Sequence, residues 1–213
     1  MNLNTETWKK YRVLDIFEPF INGKGLTKQE IEDNPGNLVA VQSSSENNAC
    51  MGLIDEQYCK EMKYKIIHRP CLTIARSGSA GFVSFQPQGC VVGDSAKALV
   101  IRKQDANEYH YLFMRTILMK NMYKYTYGRK VKAEQYMNME IALPVTKDEE
   151  VNWDFMEKYI KTLYYKPIVT KVTQRLNKKI DFSKWKEYRL KELFDIEKGK
   201  RLTKADMIEG KTN

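Results

Sequence analysis

The segment from residue 109 to residue 133 combines positive charge with tyrosine and contains no acidic residue. Lysine and arginine neutralise phosphates, while tyrosine rings pack on sugars or bases and their hydroxyls donate hydrogen bonds. This combination indicates a polynucleotide ligand, and a solvated charged face is the simpler alternative. The basic residues and the tyrosines interleaved with them are Arg115, Lys120, Tyr123, Lys124, Tyr125, Tyr127, Arg129, Lys130 and Lys132.

Two polar turns carry side chains that suit base edges in DNA. One turn contains Ser45, Asn47 and Asn48, and the other contains Arg76 and Ser79. Arginine pairs with guanine and asparagine with adenine, and each such pair discriminates by about 1–3 kcal/mol. Taken singly, these residue types also form turns by bonding to their own backbone, which is the alternative. The full set predicted to bind DNA adds Lys24, Lys28, Lys124, Tyr125, Tyr127, Arg129 and Lys130.

Signatures of catalysis are mostly missing from the sequence. It has no Gly-x-Gly-x-x-Gly, no phosphate-binding Gly-x-x-x-x-Gly-Lys-Ser/Thr and no Asn/Asp-Pro-Pro-Tyr/Phe motif of amino-methyltransferases. Asp55 with Glu61 and Lys63 loosely fits the arrangement by which some nucleases hold Mg²⁺. Because so short a pattern often arises by chance, the chain is predicted to be non-catalytic. A small Mg²⁺-dependent nuclease is the alternative.

The four cysteines include no Cys-x-x-Cys pair. Cys59, His68, Cys71 and Cys90 contain zinc-ligand residue types, but their spacing is irregular. We therefore predict four reduced thiols and no metal site, with zinc binding as the alternative.

The overall charge balance favours an acidic partner. Lysine and arginine number 36 against 27 acidic residues, which gives a net charge of +9 and a pI near 9.2. Nucleic acid and anionic membranes are such partners. No apolar run approaches the roughly 18 residues of a membrane span, and the first residues are too polar for a signal peptide. We expect no membrane attachment and a cytoplasmic location.

The first hundred residues predict mainly β-structure. Residues 72–75 and 81–85 form the pattern of two paired strands around a turn, and Thr27 with Glu30 forms a capping box that starts a helix ending at Asp33. Residues 8–18 predict a short amphipathic turn or helix that leads into a strand near residue 20. Further strands are predicted at 38–41, 89–92 and 98–101.

Helical periodicity is strongest in two later segments. Residues 108–121 predict a buried helix, and residues 140–144 predict a closing strand. Asn152 can cap a second helix beginning near Trp153, which Pro167 should kink or divide. Its apolar stripe is predicted to form a dimer contact, with packing against its own domain as the alternative. The residues of this stripe are Trp153, Met156, Ile160, Leu163, Val172 and Leu176.

The chain nearly repeats its beginning at its end. Trp-Lys-Lys-Tyr-Arg at 8–12 returns as Trp-Lys-Glu-Tyr-Arg at 185–189, and Gly-Lys-Gly-Leu-Thr-Lys at 23–28 returns as Gly-Lys-Arg-Leu-Thr-Lys at 199–204. The hydrophobic positions between these blocks also recur. A repeat at the length of a whole domain indicates two-fold recognition.

Five motifs follow one another along the chain. They are Trp-x-x-Tyr-Arg-x-x-x-Ile/Leu-Phe before Gly-Lys, Ser44-Ser45 with Asn47-Asn48, Leu72 to Gly81, Tyr125 to Lys130, and Ile141 to Pro144. In this order they resemble the DNA-specificity subunits of type I restriction-modification systems and the related BcgI-like recognition subunits. The resemblance covers nearly everything from Trp8 onward, and Cys50 stands near a position where that family often has glycine.

The resemblance implies an α+β fold in which a β-rich target-recognition domain is followed by a long spacer and dimerisation helix. It assigns residues 1–148 to the target-recognition domain, 149–182 to the conserved helical spacer and 183–213 to the start of a second, incomplete repeat. A continuous helix over the 27 residues from Trp153 to Lys179 would span about 40 Å, or about one turn of DNA.

The resemblance also implies a non-catalytic, sequence-specific subunit that binds double-stranded DNA. Such a subunit directs a separate adenine-N6 DNA methyltransferase, and in some systems a restriction subunit, to a bipartite target. S-adenosylmethionine, Mg²⁺ and ATP then belong to the partner subunits, and a homodimer forms through the spacer helix. An RNA-binding or assembly module is the alternative within the binding class.

Overall fold

The computed structural model describes residues 5–125, 129–164 and 186–194. The chain divides into two compact units, Met1–Pro167 and Ile168–Asn213. The second unit is described only over residues 186–194.

Short strands and a few helices make up the described chain. The strands are β1 (Lys9–Arg12), β2 (Ile21–Asn22), β3 (Pro35–Val41), β4 (Cys50–Ile54), β5 (Ile66–Ile67), β6 (Cys71–Ala75), β7 (Val83–Gln86), β8 (Cys90–Val92), β9 (Ala96–Leu99) and β10 (Glu140–Leu143). The helices are α1 (Val13–Ile16), α2 (Lys28–Asp33), α3 (Glu56–Glu61), α4 (Glu108–Met119), α5 (Ala133–Met137), α6 (Trp153–Tyr164) and α7 (Leu190–Leu193). Two single 3-10 turns lie at Asn47–Ala49 and Met122–Lys124.

Two four-stranded sheets and one two-stranded ribbon organise the first unit. One sheet has the order β2-β9-β6-β7, the other has β4-β3-β8-β5, and the ribbon pairs β1 with β10. All pairs are antiparallel except β3 with β8, where Ala40 lies opposite Val91. The α+β fold class predicted from the sequence is confirmed.

The largest core lies between the β2-β9-β6-β7 sheet and the helices that cover it. Leu72, Ile74 and Leu99 project from the sheet, and Met114 and Met156 pack against them from α4 and α6. Each of these side chains is at least 98% buried. Burying side chains of this size stabilises a fold by about 1.5–3 kcal/mol each, so this core holds α4 and α6 in place.

Two smaller cores connect the rest of the unit. Val41, Cys71 and Cys90 lie in one core, to which strands of both four-stranded sheets contribute. Ile31 and Cys59 lie in the other, beneath α2 and α3. The apolar packing that the two sheets share therefore holds them together.

Several predicted elements are present where the sequence placed them. β6 and β7 pair across a turn, with Ile74 opposite Val83, and α4 begins with a cap in which Asn107 Oδ1 accepts from backbone amides. Thr27 and Glu30 form the predicted capping box. Asn152 Oδ1 accepts a hydrogen bond of 2.9 Å from the Phe155 amide.

Other elements differ from their predictions. Residues 9–12 form strand β1 and only 13–16 are helical, because β1 pairs with β10, which lies far away in the sequence. The strand predicted at 98–101 occupies 96–99, since Ala96 pairs with Ala75 of β6. α6 is described as far as Tyr164, and the predicted continuation over 165–182 lies outside the described residues.

Candidate nucleic-acid interface

Three turns meet at the ends of strands from both sheets. Residues 42–49 connect β3 to β4, residues 76–82 connect β6 to β7, and residues 93–95 connect β8 to β9. The first two contain the polar residues that the sequence singled out. We call these the first, second and third turns of the interface.

Serine hydroxyls join the three turns. The Ser77 amide donates to Ser43 Oγ at 3.2 Å, and Ser43 Oγ donates to the Ser77 carbonyl. The Ser43 amide donates to Ser95 Oγ at 2.9 Å. Ser79 Oγ donates to Ser45 Oγ at 3.2 Å, so two of the predicted residues contact each other. The turns therefore form one connected polar surface rather than three separate loops.

The asparagines of the first turn are held by backbone partners. Asn47 and Asn48 have φ angles of 43° and 52°, a left-handed conformation that asparagine tolerates better than most residues. Asn48 Nδ2 donates to the Phe85 carbonyl at 2.7 Å, and Gln86 Nε2 donates to the Asn48 carbonyl at 2.9 Å. Asn47 Nδ2 donates to the Cys50 carbonyl at 3.2 Å. These amides fix the turn in the free protein.

Arg76 lies where the second turn, the third turn and the basic segment meet. Its amide donates to the Ser95 carbonyl at 2.8 Å, and its carbonyl accepts from the Val131 amide at 3.2 Å. Val131 is buried, while Arg129 and Lys130 just before it are exposed. The structure thus brings the end of the basic segment beside the turns.

Tyr125 supports the second turn by packing. Its ring stacks on Tyr136 with centroids 5.7 Å apart, and a Cβ placed on Gly81 would lie 2.8 Å from the Tyr125 ring. Gly81 also has a φ of 84°, a left-handed conformation that glycine adopts readily. Both the close approach of the ring and the backbone conformation therefore favour glycine at this position. Burial raises the pKa of the Tyr125 hydroxyl. This half-buried ring holds the turn beside the basic segment.

The remaining predicted DNA-binding residues lie at the margins. The backbone of Lys24 forms an isolated parallel β-bridge with Gly93 of the third turn. Lys28 lies on α2 and pairs with Glu32 at 3.3 Å. Lys124 is exposed, with its ammonium 5.9 Å from the centroid of the exposed Tyr123 ring. Tyr127 lies outside the described residues.

A network of hydrogen bonds centred on Glu30 fixes the loop that precedes α2. Glu30 accepts hydrogen bonds from the hydroxyls of Tyr64 at 2.6 Å, Thr27 at 2.7 Å and Tyr58 at 3.0 Å. These donors stabilise the carboxylate, with Tyr64 the largest contributor, and lower the pKa of Glu30 to about 2. Tyr64 also donates to the Gly25 carbonyl at 3.0 Å, which holds the loop containing Lys24.

Sequence reasoning missed Lys97 and Asn22. Lys97 lies in β9 opposite Asn22 of β2, and its ammonium donates a hydrogen bond to Asn22 Oδ1. Lysine between two alanines in an apolar strand is the signal that could have revealed it, because Ala96 and Ala98 are buried. Such a charge is retained in a strand only where it reaches the surface.

The stripe predicted for dimerisation is divided between core and surface. Met156 and Ile160 belong to the largest core, which is the own-domain packing that the sequence left open. Trp153 is partly exposed and lies edge-on to His110 at 5.3 Å, and Leu163 is 58% exposed. Val172 and Leu176 lie outside the described residues. Among the described members of the stripe, the exposed Leu163 and the partly exposed Trp153 can meet a partner.

α6 is also anchored to α4 by polar contacts. Asn107 Nδ2 donates to Glu157 Oε2 at 2.7 Å, and His110 Nε2 lies 3.8 Å from the same carboxylate. His110 Nδ1 accepts from the Asn107 amide at 3.1 Å. Burial lowers the pKa of His110, so the neutral form is favoured in this contact. These contacts fix α6, the described part of the predicted spacer, to α4.

The alternative chemistries lack a site in the described chain. Asp55 caps the start of α3 by accepting from the Tyr58 amide, while Glu61 is the last residue of that helix, about 9 Å further along its axis. No group of three histidine, cysteine or acidic residues among the described residues is arranged to hold a metal ion. The four cysteines are free thiols. The described helices include none long and apolar enough to span a membrane.

The α+β fold and the matching family model together define a DNA-specificity domain. The chain belongs to the family of type I restriction modification DNA specificity domains, whose model matches residues 5–168. This family comprises specificity components rather than catalytic ones, as the sequence predicted.

Individual relatives agree with this assignment. The chain is 25% identical over 221 residues to the type II restriction enzyme BgcI specificity subunit S.BcgI of Heyndrickxia coagulans, a match that covers 97% of this chain and 60% of that protein. The chain therefore spans about three-fifths of the length of this curated relative.

Two solved structures share the fold. The type I restriction-modification S subunit from M. genitalium superposes with a TM-score of 0.57 at 15% identity, covering 77% of this chain and 40% of that one. A chain from a structure on complex assembly and conformational transition of the type I R-M system superposes with a TM-score of 0.50 at 15% identity, covering 83% and 40%.

Proposed function

We propose that this protein is a sequence-specific DNA-binding subunit that directs a separate adenine-N6 methyltransferase, and where present a restriction subunit, to a bipartite target. The single observation that carries the proposal is the joining of three polar turns through Ser43, beside the end of the basic segment. A connected polar surface with adjacent cations suits base edges and phosphates together. S-adenosylmethionine, Mg²⁺ and ATP then act on the partner subunits.

The rigid turns support readout of bases over general attraction to anions. Ser43, Ser45, Ser77 and Ser79 fix one another across two turns, so side chains on this surface are positioned before DNA arrives. Pre-organised groups lose less entropy on binding and tolerate fewer partners. The candidate readers are Ser45, Asn47, Asn48, Arg76 and Ser79, with Lys24, Lys28, Lys124, Tyr125, Tyr127, Arg129 and Lys130 supplying charge and support.

Two recognition domains would be needed for a divided target. The proposed domain plan is 1–148 for recognition, 149–182 for the spacer and 183–213 for the start of a second repeat. The described helix α6 has 12 residues and spans about 18 Å. Its exposed Leu163 and partly exposed Trp153 are the described residues that can contact a second spacer. A helix continuing from Trp153 to Lys179, as proposed from the sequence, would span about 40 Å, and a two-fold pair of such domains would then place two half-sites about one DNA turn apart.

Selection from random duplexes tests the central claim. Purified full chain should enrich a defined sequence, and binding should weaken steeply with salt because phosphate contacts release counterions. Ser43→Ala should reduce the preference for the selected duplex over a random one by about five-fold, because it removes both hydrogen bonds between the Ser43 hydroxyl and Ser77 that join the first turn to the second. Ser44→Ala is the matched control, since the Ser44 hydroxyl bonds only within its own turn.

Two results would contradict the proposal. Binding without base preference would remove sequence recognition, and stronger binding to structured RNA in direct competition would move the protein to another class. Direction of methylation is tested by adding the chain to a methyltransferase encoded beside it, with S-adenosylmethionine. Adenine methylation should then require both proteins.

A further inference from the structure

Lys97 occupies an unusual position on the β2-β9-β6-β7 sheet. It lies directly opposite Asn22 on one neighbouring strand and Ile74 on the other. Residues opposite each other in antiparallel strands share a face. Ile74 is fully buried in the largest core, so the Lys97 stem follows the rim of that core and its ammonium emerges at the edge.

The environment of this ammonium contains cations and neutral groups. One of its three hydrogens is donated to Asn22 Oδ1, and the Phe20 ring centroid lies 5.6 Å away. Burial is the main cause that lowers the pKa of Lys97, and the nearby positive charge of Arg76 lowers it further. The strand register gives the geometry: Ile74 lies opposite Lys97, and the Arg76 amide bonds to the Ser95 carbonyl. Because side chains alternate between faces, Arg76 and Lys97 lie on the same face at diagonal positions.

Neither cation is neutralised within the described part of the chain. No aspartate or glutamate oxygen of the described residues lies within 4.0 Å of a nitrogen of Lys97 or Arg76. The Arg76 backbone is fixed at both its amide and its carbonyl, so its guanidinium is presented from an anchored position. Placing two like charges together costs stability unless an anion satisfies both.

We infer that Lys97 and Arg76 form a phosphate-binding pair for the DNA backbone beside the joined turns. This assignment rests on the proposed function and gives Arg76 a different role from the base contact predicted for it. Lys97 and Arg76 then contribute affinity and register, while the other candidate readers, Ser45, Asn47, Asn48 and Ser79, contribute base preference. Phosphodiester oxygens can accept the two remaining ammonium hydrogens and the guanidinium fork.

The test measures binding of the full chain to its selected duplex and to a random duplex at several salt concentrations. Lys97→Gln and Arg76→Gln should each weaken binding by a similar factor on both duplexes. Each should reduce the slope of log affinity against log salt by about 0.9, which is about a 3.5-fold smaller loss between about 50 and about 200 mM salt. Lys97→Arg should retain the charge and the slope. Lys158→Gln, an exposed lysine on α6, is the matched control and should change neither.

A second measurement follows the ammonium itself. The pKa of Lys97, read from the side-chain carbon shift in a pH titration, should rise when duplex is added, because phosphate favours the charged form. Thermal unfolding of each variant checks that it is folded.

Each outcome separates this inference from the proposed function. An unchanged salt slope in Lys97→Gln and Arg76→Gln, or a loss confined to the selected duplex, overturns the phosphate pair while sequence recognition stands. Binding without base preference but with the expected slope changes overturns the proposed function and retains the pair. If the wild-type chain binds no duplex, both are rejected.

Discussion

The two copies of the repeated segment start a helix at the same position. In the first copy α1 (Val13–Ile16) follows Arg12, and in the second copy α7 (Leu190–Leu193) follows Arg189. The Arg12 amide donates to Asp15 Oδ2 at 3.0 Å, and the Arg189 amide donates to Glu192 Oε2 at 3.4 Å. An acidic side chain three residues into a helix caps its first turn in both copies.

The two copies differ in how deeply their apolar side chains are buried. Ile16 and Phe17 are 5% and 0% exposed, whereas Leu193 and Phe194 are 56% and 63% exposed. In the first copy, strand β1 pairs with β10 and Phe17 bridges to Ile101. The described residues 186–189 of the second copy form no strand. The repeated sequence thus specifies the turn and its cap, and a partner strand decides whether its apolar residues are buried.

The largest expected effect comes from removing the same aromatic ring in each copy. Phe17→Ala should lower the free energy of unfolding by about 3–5 kcal/mol, because it empties a fully buried site. Phe194→Ala should change it by no more than about 0.5 kcal/mol, because the ring is exposed. Urea unfolding of the full chain measures both. Equal losses in the two variants would mean that the second copy is buried like the first.

The same contrast between local caps and distant strand partners explains which parts of the fold the sequence predicts. The Thr27 cap and the α4 helix are local patterns, so the sequence predicted them. Strand β1 was missed because its partner β10 lies more than a hundred residues away, and pairing overrode the helical pattern. Among the site residues, polar turns were visible in sequence, but their joining through Ser43 was not. Lys97 was missed because Asn22 of β2 and Arg76 of the second turn come close to it from distant parts of the sequence.

A smaller effect is expected when the first copy receives residues of the second. Val13→Leu with Ile16→Leu places the apolar residues of α7 into the site of α1. Val13 is fully buried, so the added methylene should cost about 1–3 kcal/mol by overpacking, with little contribution from Ile16. Thermal or urea unfolding measures the change, with Val13→Ala as a cavity-forming comparison. Loss of folding in the double variant would show that the copies are not interchangeable in the core.

The smallest expected effect concerns the caps. The hydrogen bond from Arg12 is the largest cause that lowers the pKa of Asp15. The stabilisation that the Arg12–Asp15 hydrogen bond gives is therefore fully present above the pKa of Asp15 in the unfolded chain, about 3.9. It is lost as pH falls through the lower pKa of Asp15 in the folded protein. Both side chains are largely exposed, so the contribution should stay below about 1 kcal/mol.

Asp15→Asn should accordingly remove a small, acid-dependent part of stability that wild type loses only below about pH 4. Unfolding measured from pH 3 to pH 7 checks this, and the difference between the two proteins should shrink toward the acidic end. Glu192→Gln should leave global unfolding unchanged throughout, because the described residues around it lack the burial that couples α1 to the core. A matching loss in Glu192→Gln would indicate that α7 is packed in a folded domain, which would extend the likeness of the two copies from their caps to their cores.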